Sequence, residues 1–301
     1  MTRKYTLPPV VAATVGLGTC ACLLYGLRSM TQPTDVESLA WLHIALGAVT
    51  FLSTTFFTAP YGRYSQDTFM PFEVNAQVAW MVQESPTLVN VGLTFYLAVK
   101  AQTEMGSVYH LPILFYTIHY VHRTLIFPLI IRPRNQMPLH VMLLATVYCT
   151  FNGYLQSIAN LQSNAAMPVS YVPLFWIGAF LFVAGMSINI LSDYALVRLR
   201  STTKGADTKT DAKTHYKIPR HWLFRYVSCP NLSGEMLEWL GYGVSVLATS
   251  GVSCGLAGLS FSLYTISNLL PRARRHHQWY LETFGEAYQS LNRKAVVPFI
   301  L

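Results

Sequence analysis

Charged residues are scarce in this sequence. Asp, Glu, Lys and Arg make up 11% of its 301 residues, and hydrophobic residues make up 52%. Soluble domains contain about 25% charged residues, so the deficit predicts that lipid is the main solvent of this chain. The formal net charge of +8 does not indicate a nucleic-acid partner, because the basic residues lie mainly between apolar runs and in the tail, as they do in membrane proteins.

Several motifs of soluble enzymes are missing. The five cysteines form no CxxC pair, and four of them lie in apolar surroundings, so neither a disulfide framework nor a zinc site is expected. The chain has no HExxH motif. No β-strand is expected, and therefore no GxGxxG turn of a Rossmann domain. Gly251, Gly255 and Gly258 are interpreted as small residues that let helices pack closely.

Long apolar runs dominate what is present. A transmembrane helix needs about 20 mostly apolar residues, which predicts an all-α, polytopic membrane protein with seven transmembrane helices in a single domain. We interpret the first run as a retained span, because it is longer than the apolar part of a typical signal peptide. The orientation in the membrane stays open. The seven runs are 8–27, 39–59, 78–99, 111–131, 138–158, 171–197 and 241–270.

The run 111–131 carries polar residues at helical spacing. Tyr116, His119, Tyr120 and Arg123 stand at i, i+3, i+4 and i+7, and therefore share one face of a helix. A charge within the bilayer costs from about 3 to above 10 kcal/mol, so it is kept only where partners or function require it. Two interpretations stay open for this stripe: hydrogen bonds that hold helices together, or a functional site.

A carboxyl group in the run 78–99 favours the functional interpretation. Gln83 and Glu84 lie near its start, followed by Pro86, which is expected to kink the helix. Burial favours the protonated form of a carboxyl group, so Glu84 could donate a hydrogen bond. Together with a tyrosine hydroxyl it would clamp a carbonyl oxygen. The alternative is a structural Glu84 bonded to Gln83 or Arg123.

Two further clusters follow. Asn189 and Asp193 lie four residues apart at the end of the sixth run, and the tail contains the segment PRARRHHQWYLETF, 271–284. Arginine side chains suit phosphate groups, and several together suit a dinucleotide. Basic residues next to a membrane more often contact lipid headgroups, so this cluster alone is a weak signal.

Taken together and in order, the clusters resemble the steroid 5α-reductase family of membrane enzymes, and its type 1 members most of all. The resemblance covers about residue 55 to the end. The matching motifs are PYGRYS (60–65), AWMVQESP (79–86), HYVHRTLIFPLIIRP (119–133), CTFNGYLQS (149–157), GMSINILSDY (185–194), YKIPRHWLFRYVSCPN (216–231), GEMLEWLGY (234–242), RARRHHQWYLETF (272–284) and RKAVVPFIL (293–301).

The resemblance implies an NADPH-dependent 3-oxo-5α-steroid 4-dehydrogenase with a seven-helix fold. It places Glu84 and Tyr120 on the 3-keto oxygen of the steroid, where they are the expected catalytic residues. Trp80, Gln83, Tyr116 and Arg123 complete the expected substrate site. The residues 78–131 would form the substrate side of the domain, and 185–301 mainly the cofactor side.

The resemblance also assigns the cofactor site. Two departures from the family pattern occur nearby: Leu191 stands where the family usually has a histidine, and the polar loop 201–214 is longer than usual. Neither touches Glu84 or Tyr120. The implied NADPH-binding residues are Asn189, Asp193, Arg200, Tyr216, Asn231, Glu235, Arg272, His276 and Tyr280.

The expected partners are a steroid or other lipid substrate and the bilayer, with no nucleic acid, no metal and no obligate protein partner. The membrane would be the endoplasmic reticulum in a eukaryote or the inner membrane in a bacterium. Alternatives are a sister reductase acting on a polyprenol or a trans-2-enoyl-CoA, an isoprenylcysteine-type methyltransferase, and a non-catalytic transporter or structural bundle.

Overall fold

The protein is built almost entirely from helices. The computed structural model describes residues 5–7, 35–58, 62, 64, 72–100, 110–131, 135–161, 171–201 and 216–300, and for 5–7, 200 and 201 the backbone alone. A π-helical turn, His122–Ile126, joins the helix Leu111–Val121 to the helix Phe127–Ile130, and a 3-10 turn, Trp222–Arg225, precedes the helix Pro230–Phe284. The helices are α1 (Val36–Phe56), α2 (Ala76–Lys100), α3 (Leu111–Val121), α4 (Phe127–Ile130), α5 (Leu139–Leu161), α6 (Val172–Ser201), α7 (Pro230–Phe284) and α8 (Glu286–Gln289).

The all-α prediction is confirmed in its main point. Each predicted run from 39–59 to 171–197 falls on a helix or on the α3–α4 unit, whereas 8–27 lies outside the described residues. Four helical stretches are long and apolar enough to cross a membrane: Val36–Phe56, Leu111–Ile130, Val172–Leu199 and Pro230–Phe284. Their composition is that of an integral membrane protein.

The prediction of a single last span at 241–270 is wrong. α7 has 55 residues, which would extend for about 80 Å as a straight helix, far more than the bilayer's apolar thickness of about 30 Å. Gly251, with φ 74° and ψ −172°, breaks the helical conformation in its middle. The Ser262 hydroxyl donates to the Trp239 carbonyl oxygen at 2.5 Å. Residues on either side of Gly251 therefore meet, and α7 is an antiparallel hairpin with arms 230–250 and 252–284.

Glycines let the two arms approach closely. A Cβ on Gly258 would meet Gly243 and Val246, and one on Gly255 would meet Leu247, so these two glycines have the predicted packing role. That role is wrong for Gly251, which would meet nothing within 4 Å. Its backbone instead needs the positive φ that glycine adopts without steric cost.

A second glycine seam joins α6 to the first arm of α7. A Cβ on Gly178 would meet the Gly241 carbonyl oxygen, and one on Gly185 would meet the Gly234 carbonyl oxygen. The spacing of seven residues on both helices keeps the glycines on one face of each. Close backbone approach along this seam brings the end of α6 against the start of α7.

The absence of strands, expected from the sequence, is wrong in detail. Three short strands form a sheet in the order β1 (Tyr5–Leu7), β2 (Phe72–Val74), β3 (Met137–Pro138), with β1 parallel and β3 antiparallel to β2. Segments of two or three residues contain too little alternation of apolar and polar residues to be predicted.

The chain end fastens the loop that precedes α7. The Lys294 amide donates to the Tyr226 carbonyl oxygen at 3.1 Å, and the Ser228 amide donates back to the Lys294 carbonyl oxygen at 2.8 Å. Arg293 donates to the Pro219 carbonyl oxygen at 2.8 Å. Burial raises the pKa of the Tyr288 phenol, which keeps its proton for the 2.7 Å hydrogen bond with the Ser228 hydroxyl. The loop is thereby held against the second arm of α7.

The α6–α7 seam predicts the effect of one methyl group. A Cβ on Gly241 would meet backbone atoms of Phe182, Leu181 and Gly178, which cannot move aside as a side chain can. We expect Gly241→Ala to lower the free energy of unfolding by about 1–3 kcal/mol, as overpacking does in other cores, measured by thermal unfolding in detergent.

Gly92→Ala is the matched control. Gly92 lies exposed on α2, and an added Cβ there meets nothing within 4 Å. Alanine is favoured over glycine in a helix by about 1 kcal/mol, so this variant should be as stable as the parent or more so. Equal stability of both variants would contradict the close packing of α6 against the first arm of α7.

Candidate active site

Two adjoining cavities lie where the polar residues of the sequence converge. We call them the Tyr120 cavity, of about 240 Å³, and the His276 cavity, of about 290 Å³. Ligands bound in the two cavities would be neighbours, because the cavities have a common wall. The residues that line both are Trp80, Arg123, Met137, Leu232, Glu235 and Arg272.

The acid and the phenol of the predicted clamp line the same cavity. Glu84 comes from α2 and Tyr120 from α3. α2 runs without a break through Pro86. Proline has no amide proton for the Val82 carbonyl oxygen, and the Ser85 hydroxyl donates to that oxygen instead, at 2.9 Å. The helix therefore continues at this point.

Glu84 has only long contacts with other side chains in the described part of the chain. The Gln83 amide donates to Glu84 Oε1 at 3.4 Å, and the Cys149 thiol lies 3.6 Å from Oε2. Nearby, Gln83 Oε1 and Trp80 Nε1 are buried and have no hydrogen-bond partner among the described residues. Buried polar groups are nearly always paired in native proteins, so these groups suit a polar ligand.

The polar stripe of α3 faces inward, as predicted. Tyr116, His119 and Tyr120 are each less than 5% exposed. His119 Nδ1 lies 2.6 Å from Oε1 of Glu238, a residue that the sequence analysis did not single out. Tyr116 lies outside the lining of both cavities, because it packs beneath Tyr120 with 4.7 Å between ring centroids.

Arg123 occupies the wall between the cavities. Its guanidinium donates to Asp193 Oδ2 at 3.0 Å and lies 3.7 Å from Glu235 Oε2. It also lies over the rings of Phe127 and Trp80, at 4.6 Å and 5.2 Å from their centroids. Arg123 follows the start of the π-helical turn, a feature that frequently occurs at functional sites.

Two asparagines hold the acidic partners of Arg123. Asn231 Nδ2 donates to Asp193 Oδ1 at 3.0 Å. Asn189 Nδ2 donates to the Asn231 carbonyl oxygen at 3.0 Å and to Glu235 Oε2 at 3.3 Å. The α6–α7 glycine seam makes these contacts possible, since it places the end of one helix against the start of the other.

The His276 cavity gathers most of the residues expected at the cofactor. Asn189 lies behind the lining and holds Asn231 and Glu235 in place. The side chain of Arg200 and the loop 202–215 lie outside the described residues. Leu191 is 54% exposed and lines neither cavity, so the missing family histidine leaves both described linings unchanged. The expected residues in the lining are Asp193, Tyr216, Asn231, Glu235, Arg272, His276 and Tyr280.

Some lining residues were not assigned to the site. Arg275 belongs to the basic segment 271–284 but not to the residues that the resemblance implies; it lines the His276 cavity and donates to the Thr58 hydroxyl and the Thr55 carbonyl oxygen. Its position three residues after Arg272 puts both on one helix face, which was an available signal. Tyr148 and Tyr264 stack at 4.1 Å between centroids in the wall of the Tyr120 cavity. Nothing in the sequence pairs these two residues.

The ion pairs of Arg123 with Asp193 and Glu235 predict a large loss of stability when the Arg123 cation is removed. Arg123→Met leaves the carboxylates of Asp193 and Glu235 without their cation. Breaking a buried pair typically costs about 3–5 kcal/mol, so we expect a marked fall in the unfolding temperature in detergent.

Arg274→Met serves as the control. Arg274 lies on the exposed side of α7, and surface substitutions usually change stability by less than about 0.5 kcal/mol. Arg123→Lys keeps the charge and should recover part of the loss. If the Arg123→Met protein is as stable as Arg274→Met, the ion pairs of Arg123 do not stabilise the fold.

Comparisons with known proteins show the family of this chain. The family model of 3-oxo-5-alpha-steroid 4-dehydrogenase matches residues 135–301. The chain is 37% identical over 270 residues to 3-oxo-5-alpha-steroid 4-dehydrogenase 1 of Bos taurus, covering 88% of this chain and 97% of the relative. It is 38% identical over 259 residues to steroid 5-alpha-reductase DET2 of Solanum lycopersicum, covering 83% and 91%. The chain therefore belongs to the 3-oxo-5-alpha-steroid 4-dehydrogenase family of oxidoreductases.

Proposed function

We propose that this protein reduces the C4–C5 double bond of 3-oxo-Δ4-steroids with NADPH and forms 5α-steroids. The observation that carries the proposal is the shared wall between a cavity lined by Glu84 and Tyr120 and a cavity lined by Arg272, Arg275 and His276. The names of the relatives, which state steroid 5-alpha reduction, support the substrate class.

Glu84 and Tyr120 act on the substrate ketone. The Tyr120 hydroxyl and the Glu84 carboxyl group bind the 3-keto oxygen and withdraw electron density from it, so that C5 becomes electrophilic. NADPH, when bound, supplies the hydride. The same two groups stabilise the negative charge that develops on the oxygen, before a proton reaches C4. The Trp80 ring flanks the steroid. The apolar lining of the same cavity, including Trp239 and Phe261, keeps water from the ketone.

The His276 cavity suits a phosphorylated dinucleotide. Arg272 and Arg275 supply guanidinium groups, which bind phosphates in a forked geometry. Asn231 and Glu235 offer amide and carboxylate groups for ribose or carboxamide. Nε1 of Trp80, which has no hydrogen-bond partner among the described residues, lies in the shared wall and is a donor for a polar group there. Arg200 belongs to the proposed site on the resemblance alone.

We place this activity in one membrane domain with seven transmembrane helices, the number that the resemblance implies. Among the described residues, four helical stretches are long and apolar enough to cross a membrane. Residues 78–131 form most of the substrate side and 185–301 most of the cofactor side. The steroid enters sideways from the lipid, and the membrane is the endoplasmic reticulum in a eukaryote or the inner membrane in a bacterium. No obligate protein partner is part of the proposal.

An assay of the purified protein tests the function. NADPH absorbance is followed after addition of a 3-oxo-Δ4-steroid, a polyprenol or a trans-2-enoyl-CoA, and products are identified by mass. With the steroid only, we expect NADPH consumption and a product that is heavier by about two mass units, the mass of the two added hydrogens. Consumption with one of the other lipids would identify a sister reductase, and binding of S-adenosylmethionine instead of NADPH would reject a reductase altogether.

The clamp predicts a specific kinetic effect. Glu84→Gln and Tyr120→Phe each remove a group that stabilises the developing oxyanion, a loss that typically lowers kcat by about 10²–10³-fold. NADPH affinity, measured by nicotinamide fluorescence, should stay nearly constant, because neither residue lines the His276 cavity.

Tyr96→Phe is the matched control for the phenol. Tyr96 is 62% exposed on α2, and its substitution should leave kcat unchanged. Turnover at the wild-type rate in both clamp variants would reject the roles of Glu84 and Tyr120.

The cofactor assignment predicts a loss of NADPH affinity when an arginine side chain is removed. Arg272→Ala and Arg200→Ala each remove a charged hydrogen-bond donor worth about 1.5–3 kcal/mol, which corresponds to a rise of about 10–150-fold in the NADPH Kd. Arg274→Ala, on the exposed side of the same helix as Arg272, should leave the Kd unchanged. An unaltered Kd in the first two variants would count against their contact with phosphate.

A further inference from the structure

A line of buried polar side chains behind the Tyr120 cavity has no role in the mechanism above. Asn152, Gln156 and Asn160 stand four residues apart on one face of α5, and Tyr116 and Tyr242 join them from α3 and α7. All five are at most 1% exposed. Their side chains are connected in the order Asn160, Tyr242, Gln156, Asn152, Tyr116 by hydrogen bonds of 3.0, 3.1, 3.2 and 3.1 Å.

Backbone carbonyl groups fix the direction of these hydrogen bonds. Gln156 Nε2 donates to the Ala257 carbonyl oxygen at 3.0 Å, so the amide nitrogen faces that side and Oε1 faces Tyr242. An oxygen acceptor needs a donor, and Tyr242 must therefore give its single proton to Gln156. Asn160 Nδ2 is oriented by the Gln156 carbonyl oxygen at 2.8 Å and donates to Tyr242.

The same reasoning continues toward the cavity. Gln156 Nε2 also faces Asn152, so Asn152 presents its acceptor Oδ1 to Gln156 and its donor Nδ2 to the Tyr116 hydroxyl. The oxygen of Tyr116 is thus an acceptor in this bond, and its own proton is left to donate elsewhere. Every donor in the line points toward the end at which Tyr116 lies.

The Tyr116 ring packs against the Tyr120 ring with 4.7 Å between centroids, and Thr87 is a second neighbour of the Tyr116 phenol. The Thr87 hydroxyl donates to the Cys149 carbonyl oxygen at 3.5 Å, so it has no proton left to give to Tyr116. Tyr120 has one proton, and in the proposed function that proton is donated to the substrate ketone. A hydrogen bond between the two phenols in the substrate complex can then use only the proton of Tyr116.

We propose that Tyr116, Asn152 and Gln156 form a polarised hydrogen-bond chain that directs a proton of Tyr116 to Tyr120 and strengthens the hydrogen bond from Tyr120 to the substrate carbonyl. Hydrogen bonds in such chains polarise one another, by about 10–30% per bond. These are positioning residues, since they act through Tyr120 and line neither cavity. The inference rests on the proposed function of Tyr120.

Tyr116→Phe is the central variant, because it removes one oxygen and keeps the ring that packs beneath Tyr120. We expect kcat to fall about tenfold with an unchanged KM for NADPH. In a Tyr120→Phe background the same substitution should have no further effect on kcat, since the group through which it acts is gone. A merely structural role would lower activity by the same factor in both backgrounds.

Ligand affinity gives a readout that does not depend on turnover. Binding of a 3-oxo steroid, and of the same steroid with CH2 in place of the C3 carbonyl group, is measured by displacement of a fluorescent steroid. Tyr116→Phe should weaken binding of the ketone severalfold and leave the methylene compound unchanged. Gln156→Met, two hydrogen bonds further back, should have a smaller effect of the same kind, and it tests the chain if Tyr116→Phe does not fold.

Thr146→Val is the matched control on α5. The buried Thr146 hydroxyl donates to the Met142 carbonyl oxygen of its own helix at 2.8 Å, and its loss should change neither kcat nor ketone affinity. The inference is overturned if Tyr116→Phe behaves like Thr146→Val while Tyr120→Phe is inactive. Full activity of Tyr120→Phe itself would reject the proposed function together with the inference.

Discussion

The site depends on the neutralisation of one buried cation. Arg123 lies between two cavities, where an unpaired charge costs several kcal/mol even after the surroundings relax. Asp193 and Glu235 supply the opposite charge. Asn231 donates to the other oxygen of Asp193, and Asn189 donates to the Glu235 oxygen that faces Arg123. Each partner comes from a different segment of the fold, so α3–α4, α6 and α7 must meet at this point for the charge to be tolerated.

Close helix packing makes that meeting possible. Glycines at Gly178 and Gly185 on α6 face Gly241 and Gly234 on α7, and side chains at these positions would force the backbones apart. The chain end then fixes the loop before α7 by backbone hydrogen bonds. The consequence is a wall whose asparagine and carboxylate groups are held by one another.

Helical periodicity made much of the candidate site predictable. The spacing of Tyr116, His119, Tyr120 and Arg123 gave their common buried face, and the family motifs gave most of the polar lining of the His276 cavity. Re-entry of the glycine-interrupted last run was only one of several open alternatives, because hydropathy measures how apolar a segment is and not where it turns. Gly251 resembles its neighbouring glycines in the sequence, and only its backbone conformation distinguishes it.

The sequence by itself determined that the chain is helical, that lipid surrounds it and that its polar residues lie on particular helix faces, because these properties follow from composition and from spacing within one helix. The tertiary structure decided which of those faces meet. His119 pairs with Glu238. The Tyr148 hydroxyl lies 3.2 Å from Nε2 of His43, a residue 105 positions earlier in the sequence. Such contacts depend on which helices approach each other, and the spacing of residues within one helix does not contain that information.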